Sequence, residues 1–240
     1  MLELAFLGSG NAFAAGGRYW SGFLLDGRYL FDAPPTLLAH LKRLGRDLQA
    51  IRVVFISHFH GDHVLGLPFL YLEYAELSPR REELLVVGPP GVEDLVEGVY
   101  RRVFPGAEEK GPPRRYLEVA DGLEGSVDAL HFQAVKVQHS PRLECFGFKV
   151  WLKDRVVAYS GDAAMCEGLF RLGEGADVYV LECSFRTGSS PMHLSLEELP
   201  EVRRRLPKPT IILTHLPETL EPQGLPGVLV AGDFASFLFP

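Results

Sequence analysis

Ile51-Arg52-Val53-Val54-Phe55-Ile56-Ser57-His58-Phe59-His60-Gly61-Asp62-His63 is the stretch that decides how this chain is read. Its first half is apolar and β-branched at most positions, the composition of a buried strand. Three imidazoles and a carboxylate follow at once. A buried strand is a rigid platform, and a turn at its end aims several side chains at one point. Imidazole suits zinc and other late divalent metals, and a neighbouring carboxylate suits a second ion. Gly61 is expected to let the loop turn tightly between ligands, because glycine tolerates backbone angles that other residues resist. With eight histidines in 240 residues, a chance match to this pattern is on the order of one in a thousand or below. The alternative, a metal-free polar turn, gives three imidazoles and a carboxylate no packing purpose.

Three distant residues repeat the arrangement of apolar strand, one small polar residue or glycine, then a ligand type. They are His139 in Val137-Gln138-His139, Asp162 in Tyr159-Ser160-Gly161-Asp162, and His215 in Leu213-Thr214-His215. Strands are expected at 2–7, 23–25, 29–31, 51–57 and 84–87, and again at 129–137, 146–152, 156–160, 178–181, 210–214 and 228–230. Helices are expected over 36–44, over 92–103, where Val92, Leu95, Val96, Val99 and Val103 share one face, and from the capping box Ser195-x-x-Glu198 to about Leu206. Strands first in hairpins and then alternating with helices, in both halves, give two sheets with helices outside. No flexible linker separates the halves, so residues 1–240 are expected to form a single domain. The Gly-, Pro- and charge-rich stretch 104–115 is the candidate for a mobile loop.

Composition narrows the function. The chain is 47% apolar and 23% charged, ordinary for a folded globular protein. A net charge of −7 and a pI near 5.6 disfavour a grip on extended duplex nucleic acid. A small phosphorylated substrate stays compatible, because metal ions supply local positive charge. Three cysteines (Cys145, Cys166 and Cys183) lack C-x-x-C spacing, which argues against a disulfide framework or a Cys-based zinc site and fits a reducing cytoplasm. Neither a secretory signal nor a membrane span is legible. Abundant Arg and Pro with a single Asn suit a heat-adapted source, but genome base composition would produce the same mix.

The ordered set Asp32, His58–His63, His139, Asp162 and His215 resembles the metallo-β-lactamase superfamily over nearly the whole chain. The resemblance implies an α+β fold, a four-layer αββα sandwich, with two divalent metal ions, zinc foremost and manganese or iron accepted by the same ligands. It assigns His58, His60 and His139 to one ion, Asp62, His63 and His215 to the other, and Asp162 as the bridge. Antibiotic-hydrolysing members often place a cysteine on the second metal; His63 and His215 stand here instead. His60 likewise separates the chain from the flavodiiron branch, which carries Glu at that place.

Within the superfamily the chain is most similar to the phosphodiesterase branch, which includes ribonuclease Z and the cyclic-phosphate phosphodiesterases of phosphonate breakdown. Leu7-Gly8-Ser9-Gly10-Asn11-Ala12, Val180-Leu181-Glu182-Cys183-Ser184-Phe185 and Met192-His193-Leu194-Ser195 carry that likeness. It implies that His193 assists the leaving group and that Glu182 orients it; Asp62, His193 and Glu182 form the candidate catalytic set. The likeness has gaps. His139 and Asp162 are too close to hold the tRNA-clasping arm of ribonuclease Z, and Ala33-Pro34-Pro35-Thr36-Leu37 replaces the usual Gly-Glu-Gly-Thr-Gln. The phosphonate-pathway enzymes can carry an extra Cys-rich zinc site, which the Cys pattern here does not support.

Other residues have plainer readings. Asp32 is either a hydrogen-bond partner of the His-rich loop or a simple strand-end turn. Arg203-Arg204-Arg205 with Lys208 reads as a solvated face, His40 and His131 as structural, and Gly8-Ser9-Gly10 as shaping the site floor. The expected reaction is phosphodiester hydrolysis by a hydroxide bridging two cations, with a small or cyclic phosphodiester or a short RNA as substrate. Rival readings are a thioester or lactone hydrolase on the same fold and a ribonuclease Z-like tRNA 3′ endonuclease; a non-catalytic scaffold conflicts with the complete ligand set. Family resemblance leans towards a homodimer.

Overall fold

The computed structural model describes residues 1–218 and 225–240. Its strands in chain order are β1 (Leu2–Gly8), β2 (Gly22–Leu25), β3 (Tyr29–Phe31), β4 (Val53–Phe55), β5 (Leu84–Gly88), β6 (Arg114–Glu118), β7 (Glu124–Val127), β8 (Leu130–Lys136), β9 (Phe146–Leu152), β10 (Arg155–Tyr159), β11 (Val178–Glu182), β12 (Thr210–Thr214), β13 (Val228–Val230) and β14 (Ser236–Phe239). The helices are α1 (Leu37–Arg43), α2 (Gly61–Val64), α3 (Leu67–Glu76), α4 (Val92–Val103), α5 (Glu167–Gly173) and α6 (Leu199–Arg205). The chain divides into two compact units, one of Met1–Gly8, Trp20–Val119 and Phe234–Pro240, the other of Ser9–Tyr19 and Ala120–Asp233.

Each unit is built on one seven-stranded sheet, ordered β14-β1-β2-β3-β4-β5-β6 in the first and β13-β12-β11-β10-β9-β8-β7 in the second. Both sheets follow one plan. In the first, β14 through β3 pair antiparallel and β3 through β6 pair parallel. In the second, β7 through β10 pair antiparallel and β10 through β13 pair parallel. Short turns suffice for the antiparallel pairs, whereas parallel neighbours need crossovers, and helices supply those from β3 to β6 and from β10 to β12.

In the first unit a ladder of phenylalanines crosses four strands. Phe6 pairs with Phe23, Phe23 with Phe31 and Phe31 with Phe55. The Phe23 and Phe31 rings stack at 4.6 Å, and Phe31 and Phe55 at 4.9 Å. Directly opposed aromatic pairs are among the stronger cross-strand contacts, and this ladder ends three residues before His58. Residues of the alternate register, Leu7, Leu24, Leu30, Val54 and Ile56, pack with Leu37, Leu41, Leu67, Leu70 and Tyr71 from α1 and α3. Gly66 precedes α3 where a Cβ would lie 2.1 Å from the Pro34 carbonyl oxygen, so the helix presses on the Ala33-Pro34 backbone only because no side chain intervenes.

The second unit has its own core, with Val135, Ala158, Tyr179, Leu181, Ile211 and Leu213 packed with Leu169 and Leu172 of α5 and with Leu199 and Val202 of α6. Gly168 repeats the device of Gly66: its Cβ would fall 2.1 Å from the Lys136 carbonyl oxygen, seating α5 on the end of β8 just before His139.

Several expectations need correction. The strand expected over 51–57 spans only Val53–Phe55, because Ser57 turns its N–H to the Asp32 carboxylate instead of to a strand. Gly61 does not act through left-handed backbone angles, being absent from the positive-φ residues. It opens the single turn α2, for which His60 is the N-cap, and its Cβ would meet Leu65 Cδ1 at 2.9 Å. The capping box at Ser195 is formed, with both the N–H and Oγ of Ser195 bonded to Glu198 Oε2 at 2.9 and 3.0 Å. It opens a 3₁₀ turn that leads into α6. Stretch 104–115 is pinned by the buried Ala107, whose carbonyl accepts a 3.2 Å bond from Tyr100, and it runs into β6 at Arg114.

Candidate metal centre

In the first unit the organising group is Asp32, at the end of β3, fully buried and in the left-handed region at φ 57°. Its Oδ1 accepts from the Ser57 N–H at 2.8 Å, and its Oδ2 from Ser57 Oγ at 2.9 Å and from His63 Nδ1 at 2.7 Å. A carboxylate only accepts, so His63 carries its proton on Nδ1 and keeps a lone pair on Nε2. The hydroxyl of Ser57, having donated to Asp32, accepts from His58 Nδ1 at 3.0 Å, which fixes His58 in the same tautomer. His58 Nε2 then lies 3.0 Å from His60 Nδ1, and His63 Nε2 lies 3.3 Å from Asp62 Oδ2. Asp32 is thus both strand-end turn and hydrogen-bond partner.

The second unit repeats this logic with a glutamate. Glu182 is completely buried at the end of β11. Its Oε1 accepts from the Ala163 N–H at 3.0 Å and from His193 Nδ1 at 2.9 Å, and its Oε2 from the Ser184 N–H and Oγ, each at 2.9 Å. The Ser184 oxygen in turn accepts from His215 Nδ1 at 2.7 Å. His139 gives its Nδ1 proton to the Met192 carbonyl at 2.7 Å. Both His139 and His215 are left with Nε2 lone pairs, 3.7 and 3.3 Å from Asp162 Oδ2. One donor atom each of Asp162, His193 and His215 falls within 4.8 Å of the others. Gly161 at φ 57° and His215 at φ 55° swing the chain sharply at the ends of β10 and β12, and non-glycine residues held there cluster at functional sites.

These contacts test whether a metal fits. In the assigned tautomers, imidazole lone pairs face carboxylate oxygens at 3.3 Å in both units, His63 to Asp62 and His215 to Asp162. Two acceptors at that range repel unless a cation intervenes. Imidazole and carboxylate are the donor set of divalent late metals, and His58, His63, His139 and His215 each have the other nitrogen anchored as metal-binding histidines require. The residues fit.

The first unit therefore assembles His58, His60, Asp62 and His63 around Asp32, and the second assembles His139, Asp162, Glu182, His193 and His215. His40 packs edge-on against Phe234, and His131 lies against Trp151. The basic run is bonded within its unit. Arg203 donates to the carbonyls of Leu206, Pro207 and Pro209, while Arg204, Arg205 and Lys208 pair with Glu201, Glu167 and Asp177. Ser9 and Asn11 bond the backbone of Leu216, the residue after His215, so the Gly8-Ser9-Gly10 loop backs a ligand. Burial, with the Glu182 and Glu198 carboxylates adding to it, pushes the Cys183 thiol far above its usual range and removes it as a nucleophile. None of the three cysteines is joined in a disulfide. Sequence reasoning missed Ser57, Ser184 and the Met192 carbonyl, the groups that set the tautomers.

Seven-stranded mixed sheets with crossover helices, carrying histidine–aspartate clusters at their strand ends, define a metal-dependent hydrolase of the metallo-β-lactamase superfamily. More particularly, the chain belongs to the family described as anti-Pycsar protein Apyc1, whose model matches residues 2–227. Among curated proteins it is similar to ribonuclease Z of Mycolicibacterium gilvum, 26% identical over 247 residues, covering 92% of this chain and 86% of that protein. Among solved structures, the metallo-β-lactamase fold protein YhfI of Bacillus subtilis superposes with a TM-score of 0.79 at 17% identity, covering 99% of this chain and 100% of that one. A diphosphatase of the PhnP family gives 0.81 at 18% identity, covering 100% and 98%. These likenesses place the fold in the expected α+β class.

Proposed function

We propose that the chain hydrolyses small or cyclic phosphodiesters at a pair of divalent ions, zinc being the expected metal. His58, His60 and His139 would hold one ion, Asp62, His63 and His215 the other, with Asp162 shared. When bound, the ions would supply a hydroxide at neutral pH and offset charge on the phosphoryl oxygens. The protein's own part is positional. Asp32 and Ser57 hold His58 and His63, and Ser184 and the Met192 carbonyl hold His215 and His139, each presenting Nε2.

The observation that carries the reading is His193. Its Nδ1 is bonded to the buried Glu182 carboxylate at 2.9 Å, and its ring stacks on His215 at 5.6 Å. A carboxylate on Nδ1 fixes the ring and leaves Nε2 as the nitrogen that would give a proton to the departing alkoxide of a phosphodiester. A thioester leaves as a thiolate and gains little from such a donor.

A small substrate is favoured over precursor tRNA because a turn and the β9–β10 hairpin take up the chain between His139 and Asp162. The net charge of −7 also opposes an extended nucleic-acid grip. The one family match across residues 2–227 supports reading both units as a single domain. Leu65, Phe69 and Val103 are 40–50% exposed in the first unit, which supports a homodimer. Among the described residues no helix is long and apolar enough to cross a membrane; a cytoplasmic location is the accompanying expectation.

Rates on cyclic nucleotides, bis(p-nitrophenyl) phosphate, precursor tRNA and a thioester and lactone panel test the reading with metal-loaded protein. The phosphodiesters should be turned over fastest. Preferred hydrolysis of a thioester or lactone would overturn it.

A further inference from the structure

We propose that Gln138 is a positioning residue for His193, holding in place the strap that carries it. The inference rests on the reading of His193 as proton donor. Gln138 and His139 follow the end of β8 as consecutive residues, and they grip two consecutive carbonyls. Gln138 Nε2 donates to the Pro191 oxygen at 3.1 Å, and His139 Nδ1 donates to the Met192 oxygen at 2.7 Å. The next residue is His193, whose ring is fixed separately on Glu182.

One bond from His139 would leave the strap free to pivot about the Met192 carbonyl, while two adjacent bonds set both its place and its direction. Ser190 Oγ accepts from the Met192 N–H at 3.1 Å, a contact wholly within the strap that anchors nothing outside it. The strap, Ser190–His193, lies in neither a strand nor a helix, and Pro191 has no N–H of its own to contribute. Gln138 is exposed, and its amide reaches a carbonyl 53 residues along the chain. The same four residues, Gln138, His139, Pro191 and Met192, are among those lining a cavity of about 690 Å³. The Gln138 bond is therefore open to water, adds little to folding, and matters through the placement it enforces. A donor displaced by about 1 Å loses up to about 10²-fold in rate.

The test compares Gln138→Ala and Gln138→Leu, the second keeping bulk without a donor, in the full metal-loaded chain. Substrates are a cyclic nucleotide, whose ring opens with a ribose alkoxide as leaving group, and bis(p-nitrophenyl) phosphate, whose aryl oxide leaving group needs little proton assistance. The expected result is a kcat loss of at least about tenfold on the cyclic nucleotide, below about threefold on the aryl ester, with KM unchanged. Adding Gln138→Ala to His193→Ala should cost nothing further. Equal losses on both substrates, or multiplied losses in the double variant, overturn the proposal. In chelator-treated protein, amide exchange over 190–195 should quicken in Gln138→Ala; unchanged exchange also overturns it. If His193→Ala matches wild type on the cyclic nucleotide, the donor reading fails and this inference with it. If His193 matters and Gln138 does not, only the inference falls.

Discussion

Asp32 Oδ2 accepts a 2.7 Å bond from His63 Nδ1 across 31 residues of sequence, and both side chains are wholly buried. The same oxygen takes the Ser57 hydroxyl, through which it also fixes His58. One carboxylate thereby sets the tautomers of two imidazoles.

Asp32→Asn should keep the fold, since asparagine tolerates φ near 57°. An amide placed there turns one donor against another, because every bond to Asp32 from Ser57 and His63 is donated to it. Metal affinity should fall by about 10–100-fold in titration against a competing chelator. Wild-type affinity would mean the histidines need no such partner.

His193→Ala should leave metal content unchanged and slow hydrolysis of an alkoxide-leaving phosphodiester by roughly 10²-fold or more. Metal analysis and steady-state rates on one preparation decide it, and undiminished turnover would remove His193 from the chemistry.

Asp162→Ala should lower metal content. Asp162 is the carboxylate faced by both His139 and His215, and without it these lone pairs lose the shared anion. Two equivalents per chain in the variant would refute the bridging role.

Phe31→Ala removes a fully buried ring stacked on both sides, by Phe23 and Phe55. A loss of about 3–5 kcal/mol is expected from chemical denaturation, together with weaker metal binding, because the ladder supports the strand leading to His58. A loss under about 1 kcal/mol would show that the ladder relaxes freely.

Acid should weaken the first unit through Glu73. Burial works to raise its pKa, but bonds from Lys42 at 2.6 Å and Ser78 at 2.8 Å outweigh it and hold the carboxyl below its ordinary value. A depressed folded pKa stabilises above the unfolded value, near 4.3, and that contribution is lost as pH falls through the folded pKa. The gap in Tm between wild type and Glu73→Gln should therefore be full at pH 7 and shrink below about pH 4. A gap that does not change with pH would exclude the ion pair as its source.

Legibility in the sequence followed side-chain patterning. Val92–Val103 was readable to the residue because its apolar positions recur at helical spacing, and Phe146–Leu152 because its run is short and bounded. Leu67–Glu76 carried no helical signal: Leu67, Pro68, Leu70 and Tyr71 are buried and Phe69 is half exposed, so the apolar stretch has no polar face. The start of Arg114–Glu118 falls in the stretch 104–115 read as loop, because its charges gave no hint that Arg114 folds onto Glu97 and the Tyr71 ring. Among the site residues, the imidazoles and aspartates announced themselves by clustering. Ser57 and Ser184 did not, since a serine means little until folding brings its partners near; for Ser184 the distant partner is the His215 imidazole, 31 residues away. For Ser57 it is the Asp32 carboxylate, 25 residues away.

The carboxylate–serine–imidazole relays aim their rings by bonds internal to each unit, so ring orientation is set by the polypeptide itself, while the ions would offset the repulsion between the facing lone pairs and carboxylates. A chelated sample should thus melt as a folded protein and recover catalysis on remetallation without refolding. That sets it apart from small zinc modules, which collapse into coil when stripped.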